Sequence, residues 1–199
     1  MSVGLSSDVS LDTPAGADER NIVHIVLIGQ SGSGKTALAK ELELRLNLPR
    51  ISSGDIAREL AESDAATDLA LRQGAYAPEQ AMRVRIHQEI EAAELARGAW
   101  ILDGFPRMLE QLICLNQWTA NMPMFFYLDT QLMTCIHRLT DRNRPGDNPD
   151  AIARKFTSFA EKTQPMIDVL EDAGILHTLY CSDWTIDMTV EAVESYLSE

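Results

Sequence analysis

The chain has 199 residues, a length that suits one domain of ordinary size with a hydrophobic core of its own. Its 17 Lys and Arg residues are outnumbered by 30 Asp and Glu residues, which argues against a protein that coats nucleic acid or an anionic membrane through its overall field. Any polyanionic substrate must therefore be bound by local clusters of Arg and Lys.

The N-terminal residues 1–20 are rich in Ser, Asp, Ala and Gly, and they contain no apolar run and no basic residue before Arg20. This composition predicts a disordered tail, not a signal or transit peptide, followed by a single domain over residues 21–199. No stretch approaches the roughly 18 apolar residues that a membrane span requires. Cys114, Cys135 and Cys181 form no C-x-x-C pair, so we expect free thiols and a cytoplasmic protein.

The first folded segment carries a phosphate-binding loop. Residues 29–36 read Gly-Gln-Ser-Gly-Ser-Gly-Lys-Thr and match the pattern G-x-x-x-x-G-K-[ST] throughout. The loop follows a predicted buried strand over 23–28 and precedes a predicted helix over 37–44. This strand, turn and helix are the context in which such a loop binds a phosphate group.

Each residue type in the loop suits that chemistry. The small residues let the backbone form a cup of N–H donors at a helix N-terminus; they are Gly29, Gly32, Ser33 and Gly34. Lys35 would reach the terminal phosphates, and the Thr36 hydroxyl could hold Mg²⁺. The loop therefore predicts binding of a nucleoside triphosphate.

Further strands and helices follow in alternation. Apolar runs predict strands over 48–53, 99–103, 124–129 and 175–180. Helices are predicted to open at 53–55 and to cover 78–97, 131–142, 149–173 and 185–197, with Pro78 and Gly98 bounding the long one. Apolar strands that alternate with helices indicate a parallel sheet covered on both faces. We therefore predict a three-layer α/β/α sandwich with a five-stranded parallel sheet.

The predicted strand ends carry polar or flexible residues that should share one rim of the sheet; these are Gly29, Ser53, Asp103 and Asp129. Asp103 has the position of a carboxylate that orients Mg²⁺ or its waters beside a phosphate loop. It opens the turn Asp-Gly-Phe-Pro-Arg over residues 103–107, in which Arg107 can hold a phosphate with two hydrogen bonds. Arg58 could reach the same anion from the helix that opens at 53–55.

A second cationic cluster consists of Arg138, Arg142 and Arg144, followed directly by Pro-Gly-Asp. Arg138 and Arg142 lie four residues apart and share one helix face. In an acidic chain this cluster indicates a mobile clamp for an anion. The alternative is a basic helix end that complements its own dipole.

These motifs resemble the adenylate kinase family of nucleoside monophosphate kinases, over about Ile22 to Leu197. The resemblance rests on the phosphate loop, on residues 51–58, on residues 101–107 with Gln111, and on the arginines that lead to Asp147. It implies a P-loop NTPase-type fold with a helical flap for the monophosphate over 54–82 and a short lid over 142–149. It also implies that the γ-phosphoryl group of MgATP passes to AMP, and monomers are the usual expectation.

The resemblance assigns roles to individual positions. For ATP it implies binding by the loop with Lys35, stacking of Arg138 on the base, and contacts of Arg142 and Arg144 with the triphosphate. For the monophosphate it implies a binding site, in which Gln111 reads the adenine edge. The residues of this site are Ser53, Arg58, Ala77, Gly104, Arg107 and Gln111. For Mg²⁺ it implies binding by Thr36, with Asp55 and Asp103 holding the ion through water molecules. Lys35, Arg107, Arg138, Arg144 and Lys155 would be the catalytic cations.

Several positions depart from the family pattern. A hydroxyl follows the loop lysine directly, at Thr36, and Gly146 replaces an acidic lid residue. The helical arginine of the family falls on Lys155, with Arg154 beside it, and a lysine cannot reproduce the forked contact. We therefore expect either slower transfer or a role for Arg154.

Alternative functions stay open at this point. Residues 75–77 read Ala-Tyr-Ala where the family has bulkier aliphatic residues, so UMP, CMP or another monophosphate could be the acceptor. A degenerate kinase that binds ATP and acts as a regulator is a second alternative, supported by the changed lid. A GTPase switch is disfavoured because the sequence contains no Asn-Lys-x-Asp segment that would read guanine.

Overall fold

The computed structural model of the chain describes residues 23–142, 144 and 146–198, and within them it contains one five-stranded sheet in which all strands are parallel. The strands are β1 (Ile25–Gly29), β2 (Arg50–Ser52), β3 (Ile101–Asp103), β4 (Met124–Asp129) and β5 (Leu176–Tyr180), in the order β2-β3-β1-β4-β5. The predicted tail over 1–20 lies outside the described residues.

The helices are α1 (Lys35–Leu46), α2 (Ser53–Ser63), α3 (Ala65–Arg72), α4 (Glu79–Arg97), α5 (Leu109–Trp118), α6 (Leu132–Arg142), α7 (Pro149–Ser158), α8 (Gln164–Asp172) and α9 (Ile186–Leu197). Pro78 and Gly98 bound α4 as predicted, and Gly98 ends it in the left-handed conformation. The sequence does not separately predict α3 or α5.

The predicted helix over 149–173 is interrupted by a π-helical turn, Phe159–Thr163, between α7 and α8. Pro165 stands at the start of α8 and has no N–H to donate to the preceding turn. The wider π-helical turn before this proline accommodates its missing N–H donor. Such turns are frequent at functional sites. The periodicity of the sequence alone could not place it.

The core has two parts, one on each face of the sheet. Alternate residues of β1 supply both, because successive side chains of a strand point to opposite faces. On one face β1 contributes Val26 and Ile28, which pack with α2, α4, α5 and α8. On the other it contributes Ile25 and Leu27, which pack with α1 and α9. The predicted three-layer α/β/α sandwich is therefore confirmed.

The strand register brings the carboxyl ends of the strands to one edge. Asp103 pairs in register with Leu27 and with Ser52, and Asp129 pairs with Tyr180. The phosphate loop leaves β1 at the centre of this edge, where the chain turns first toward β2 and β3 and later toward β4 and β5. This is the place where α/β sheets bind ligands. Among the described residues, no helix is long and apolar enough to cross a membrane.

Candidate active site

The phosphate loop packs tightly against the first part of α6. Gly32 and Gly34 have φ angles of +87° and +104°, which side chains of L-residues rarely adopt. A Cβ atom on Gly32 would lie 2.5 Å from the carbonyl oxygen of Cys135, so only glycine fits there. The conformation leaves the loop backbone free to surround an anion at the N-terminus of α1.

Lys35 lies at the centre of the loop. Its Nζ donates to the carbonyl oxygens of Gly29 and Gln30, both at 2.7 Å, and to Ser33 Oγ at 3.3 Å. Withdrawal from water lowers the pKa of Lys35 to about 8, and the nearby charge of Asp103 opposes that shift only in part. The charges of Arg107 and Arg142 lower it further.

Thr36 and Asp103 form an oxygen pair beside the loop. Thr36 Oγ1 donates to Asp103 Oδ2 over 2.7 Å, and Asp103 is 4% exposed at the end of β3. A hydroxyl and a carboxylate are the ligand types that Mg²⁺ prefers, with waters and phosphate oxygens completing the shell. The described residues hold no cluster of three or more His, Cys, Asp or Glu side chains that could bind a metal alone. The pair therefore fits a Mg²⁺ ion that is shared with a phosphate group.

Asp55 lies among arginines. Its Oδ2 accepts from both terminal nitrogens of Arg50 at 3.0 Å, and its Oδ1 accepts from Arg58. Burial alone would raise the pKa of Asp55, but the hydrogen bonds from Arg50 and Arg58 hold it below its ordinary value. Among the described contacts none joins Asp55 to Thr36 or Asp103, so its predicted contact with Mg²⁺ stays a prediction.

The Asp-Gly-Phe-Pro-Arg turn holds Arg107 in place. Its Nε donates to Gly104 O at 2.6 Å, and its Nη2 donates to Ser53 Oγ at 3.0 Å. The guanidinium also lies over the Tyr76 ring, 4.8 Å from the centroid, as a cation–π contact. Arg107 keeps further N–H donors, so it can still hold an anion while it is anchored.

Gln111 is buried and bound on both sides of its amide. Its Oε1 accepts from the backbone N–H of Arg107 at 2.7 Å, and its Nε2 donates to Glu79 Oε2 at 2.8 Å. Ala77, which was also predicted at this site, is buried in the loop before α4. The structure thus brings the predicted base-reading residue next to the predicted phosphate-binding Arg107.

The lid arginines contact a buried carboxylate. Arg142 binds Asp147 with two hydrogen bonds, of 2.9 and 3.0 Å, and Lys155 Nζ donates to Asp147 Oδ1 at 2.9 Å. Burial alone would raise the pKa of Asp147, but Lys155 and Arg142 hold it below its ordinary value. Partial burial and the like charges of Arg142 and Arg58 lower the pKa of Arg144. Residues 143 and 145 of the predicted lid lie outside the described residues.

Two pockets flank the loop. The first is lined by Gly29, Lys35, Tyr76, Arg107 and Lys155, together with both ends of the π-helical turn, Phe159 and Thr163. Lys155 therefore reaches this pocket, whereas the exposed Arg154 donates to the carbonyl oxygen of Gln73 in the flap.

The second pocket lies on the other side of the loop. Arg138 forms one wall and donates to the Ser33 carbonyl oxygen at 3.2 Å, and Trp184 and Ile186 form another. Trp184 follows the carboxyl end of β5, so the rule that ligands gather at strand ends could have identified it. Thr163 is a second site residue that the sequence patterns did not predict. Its Oγ1 donates to the Arg107 carbonyl oxygen at 2.9 Å.

A parallel sheet with a glycine-rich loop between β1 and α1, and with cations around that loop, defines a P-loop nucleotide-binding protein. Comparison with known proteins narrows the class. Residues 27–175 match the family model described as "Adenylate kinase", and this match covers most of the chain. The chain belongs to the adenylate kinase family.

Relatives of similar length bear the same name. The chain is 29% identical over 171 residues to an adenylate kinase of Thermobifida fusca (strain YX), across 79% of this chain and 89% of that protein. It is 28% identical over 165 residues to an adenylate kinase of Tropheryma whipplei (strain Twist), across 79% and 88%. An "Adenylate kinase 1" of Nostoc sp. is 29% identical over 168 residues, across 79% and 90%. These names indicate a phosphotransferase.

Proposed function

We propose that the protein transfers the terminal phosphoryl group of ATP to AMP and releases two molecules of ADP. The observation that carries the proposal is a single pocket that is lined by the phosphate-loop residue Lys35, by Arg107 of the turn after β3 and by Lys155. A protein that only held ATP would need the loop and Lys35. An arginine on the flap side of the same loop supports a second phosphate-bearing substrate.

ATP would occupy the phosphate loop and the pocket beside it. The loop N–H groups and Lys35 would bind the β- and γ-phosphates, as phosphate loops generally do. The base would enter the pocket between Arg138 and Trp184, where an aromatic ring and a guanidinium plane can both stack on a purine. Arg142 and Arg144 would contact the triphosphate from the lid.

AMP would bind between the flap and the Asp-Gly-Phe-Pro-Arg turn. Arg107 is fixed through Nε and Nη2 and keeps Nη1 free for a phosphate oxygen. Arg58 is about half exposed, and its partner in the described structure is Asp55, so an incoming phosphate could compete for it. Gln111 would present its amide to the base, with Ser53, Ala77 and Gly104 around it.

In the reaction an oxygen of the AMP phosphate attacks the γ-phosphorus, and the bond from that phosphorus to the bridging oxygen breaks. The electron pair of that bond stays on the departing ADP, and no proton needs to move. Lys35, Arg107 and Lys155 line one pocket and would stabilise the charge on the transferring group. Closure of the flap over 54–82 and the lid over 142–149 would exclude water.

Thr36 and Asp103 would hold Mg²⁺ together with phosphate oxygens. When bound, the ion neutralises phosphate charge and fixes the geometry of the triphosphate. We further propose a monomer in the cytoplasm. The cytoplasmic location is supported by the presence of Cys114, Cys135 and Cys181 as free, buried thiols in the described structure.

The proposal is tested by measuring ADP formation by the purified protein from ATP and Mg²⁺, with AMP, dAMP, CMP, UMP and GMP offered singly beside a reaction without acceptor. We expect turnover that depends on an acceptor and is fastest with AMP or dAMP. Preference for a pyrimidine would keep the transfer and reject AMP as the acceptor. ATP binding without acceptor-dependent turnover would reject the proposed reaction.

A further inference from the structure

The side-chain amide of Gln111 is held in one orientation from two directions. The backbone N–H of Arg107 donates to its Oε1 over 2.7 Å, and its Nε2 donates to the Glu79 carboxylate over 2.8 Å. Gln111 is only 5% exposed, so its amide is shielded from water, although the Glu79 residue itself is exposed. The two contacts come from separate segments, the turn after β3 and the first residue of α4.

The reversed amide would be penalised at both contacts. Rotation by 180° would place the NH₂ group against the N–H of Arg107, so that two donors would face each other. It would also place the amide oxygen against the Glu79 carboxylate, so that two acceptors would face each other. Neither partner can change its role, because a backbone N–H cannot accept and an ionised carboxylate cannot donate. Glu79 is the partner whose role a side-chain substitution can change.

A locked amide still has capacity for a base. The oxygen has a second lone pair and the nitrogen has a second hydrogen, so Gln111 can accept one hydrogen bond and donate another. Adenine and cytosine offer the complementary pair, an exocyclic amino donor beside a ring-nitrogen acceptor. Guanine, hypoxanthine and uracil offer the reverse pair, a carbonyl acceptor beside a ring N–H donor. These oxo bases would be matched only by the reversed amide.

We propose that Glu79 is a positioning residue for substrate choice: by locking the Gln111 amide, it selects monophosphates whose base, like adenine and cytosine, presents an amino donor beside a ring-nitrogen acceptor on its Watson–Crick edge. This inference rests on the proposed function and adds a residue to it. AMP and IMP are the sharpest pair of acceptors, because their purines have nearly the same size and differ in the donor and acceptor pattern that the amide reads.

Glu79 has a second possible role, since an acidic residue in the first turn of α4 also complements the helix dipole. The test must therefore use a readout that loss of stability does not move. The ratio of kcat/KM for AMP to kcat/KM for IMP meets that need, because a smaller folded fraction lowers both values equally. Glu110→Gln is the matched control: Glu110 is exposed and adjacent to Gln111, and it has no hydrogen bond or ion pair among the described contacts.

In Glu79→Gln the new amide can either accept from Gln111 as it stands or donate to a reversed Gln111, so only the backbone N–H of Arg107 still opposes reversal. We expect the AMP to IMP ratio to fall about tenfold, the size of the discrimination that one amide contact gives on a base edge. The KM for ATP should stay unchanged, and Glu110→Gln should keep the wild-type ratio. An unchanged ratio in Glu79→Gln, or an equal fall in Glu110→Gln, would overturn the inference.

A spectroscopic measurement separates this inference from the proposed function. In ¹⁵N-labelled wild-type protein, the Gln111 side-chain amide protons, identified by their loss in Gln111→Ala, should exchange slowly with water. They should exchange faster in Glu79→Gln and as in wild type in Glu110→Gln. Absence of turnover with every monophosphate would reject the proposed function, and equal exchange in wild type and Glu79→Gln would reject the lock.

Discussion

The proposed donor side of the site is part of the sheet, whereas the proposed acceptor side is carried by a predicted flap that contains the two short helices α2 and α3. Lys35 is hydrogen bonded to the loop that leaves the central strand β1, and Thr36 is hydrogen bonded to Asp103 at the end of the neighbouring strand. Arg58 lies on α2 and its described contact is an exposed ion pair with Asp55. Exposed pairs of this kind contribute roughly 0 to 1 kcal/mol to stability.

The difference indicates which side can move. The donor side has little freedom, because it is built on buried strands and on glycines with no room for a side chain. The acceptor side meets the lid and α7 at two other glycines: a Cβ on Gly74 would lie 2.5 Å from Ala151 O, and one on Gly146 would lie 2.6 Å from Leu71 O. The predicted flap therefore meets the predicted lid and α7 at backbone atoms, and among the described residues no ion pair joins these segments.

Replacement of Lys35 should have the largest effect. In Lys35→Met the charge that stabilises the transferring group is lost, so kcat should fall about a hundredfold or more, with a smaller change in KM for ATP. The measurement is steady-state ADP formation. Lys40→Met is the control, since Lys40 is exposed on the same helix. Normal turnover in Lys35→Met would contradict the role assigned to the donor side.

Replacement of Arg58 should affect the acceptor alone. Arg58→Ala removes a charged hydrogen bond to the monophosphate, which is typically about 1.5 to 3 kcal/mol, so the KM for AMP should rise by roughly ten- to a hundredfold. The KM for ATP should not change. Arg72→Ala is the control, because Arg72 is similarly exposed on the flap and pairs with Asp68. Equal rises in both KM values would mean that Arg58 does not separate the two sides.

Replacement of Gly74 tests the contact between flap and lid. Gly74→Ala places a methyl group against the Ala151 backbone, so the closed state should be disfavoured and kcat/KM for AMP should fall about tenfold, equivalent to about 1.4 kcal/mol. Gly174→Ala controls for backbone strain, because its φ of +68° is close to the +77° of Gly74 and no described atom lies within 4 Å of its added Cβ. If both variants lose the same activity, strain and not closure is responsible.

The smallest expected effect is a proton taken up with ATP. The pKa of Lys35 is about 8, below the ordinary lysine value of 10.5, so above pH 8 much of the free protein has a neutral Lys35. Bound phosphate favours the charged form, so ATP affinity should weaken as pH rises through 8, and binding should take up protons there. Calorimetry at about pH 8.5 in two buffers of different ionisation enthalpy measures this uptake, which Lys35→Met should abolish.

The same shift affects stability in a defined direction. Between pH 8 and 10.5 the unfolded chain holds more protons at Lys35 than the folded protein does, so the contribution of Lys35 to the free energy of unfolding rises with pH in that window. Denaturant titrations of wild type and Lys35→Met across the window should therefore diverge. Parallel pH profiles would show that the folded pKa of Lys35 is not lowered.

Much of the fold could be predicted because its signals are local. Apolar strands, their alternation with helices, and the punctuation by Pro78 and Gly98 each depend on a few neighbouring residues. The π-helical turn and the break between α2 and α3 could not be predicted in this way. The break between α2 and α3 lies at Asp64, whose side chain caps α3, and the π-helical turn comes just before Pro165. Each has a local cause that hydrophobic periodicity does not report.

By itself, the sequence determined the class of fold, the phosphate loop and the order of the cationic motifs along the chain. These features are local, because the conformation of an eight-residue loop or of a strand end depends mainly on the residues within it. Only the tertiary structure decided which partners these groups find. It placed Lys155 in the pocket beside the phosphate loop, bound Arg154 to the Gln73 carbonyl oxygen, and bound Gln111 to Glu79. Such pairings join residues up to 81 positions apart, as for Arg154 and Gln73, and no local pattern encodes a distance between distant segments.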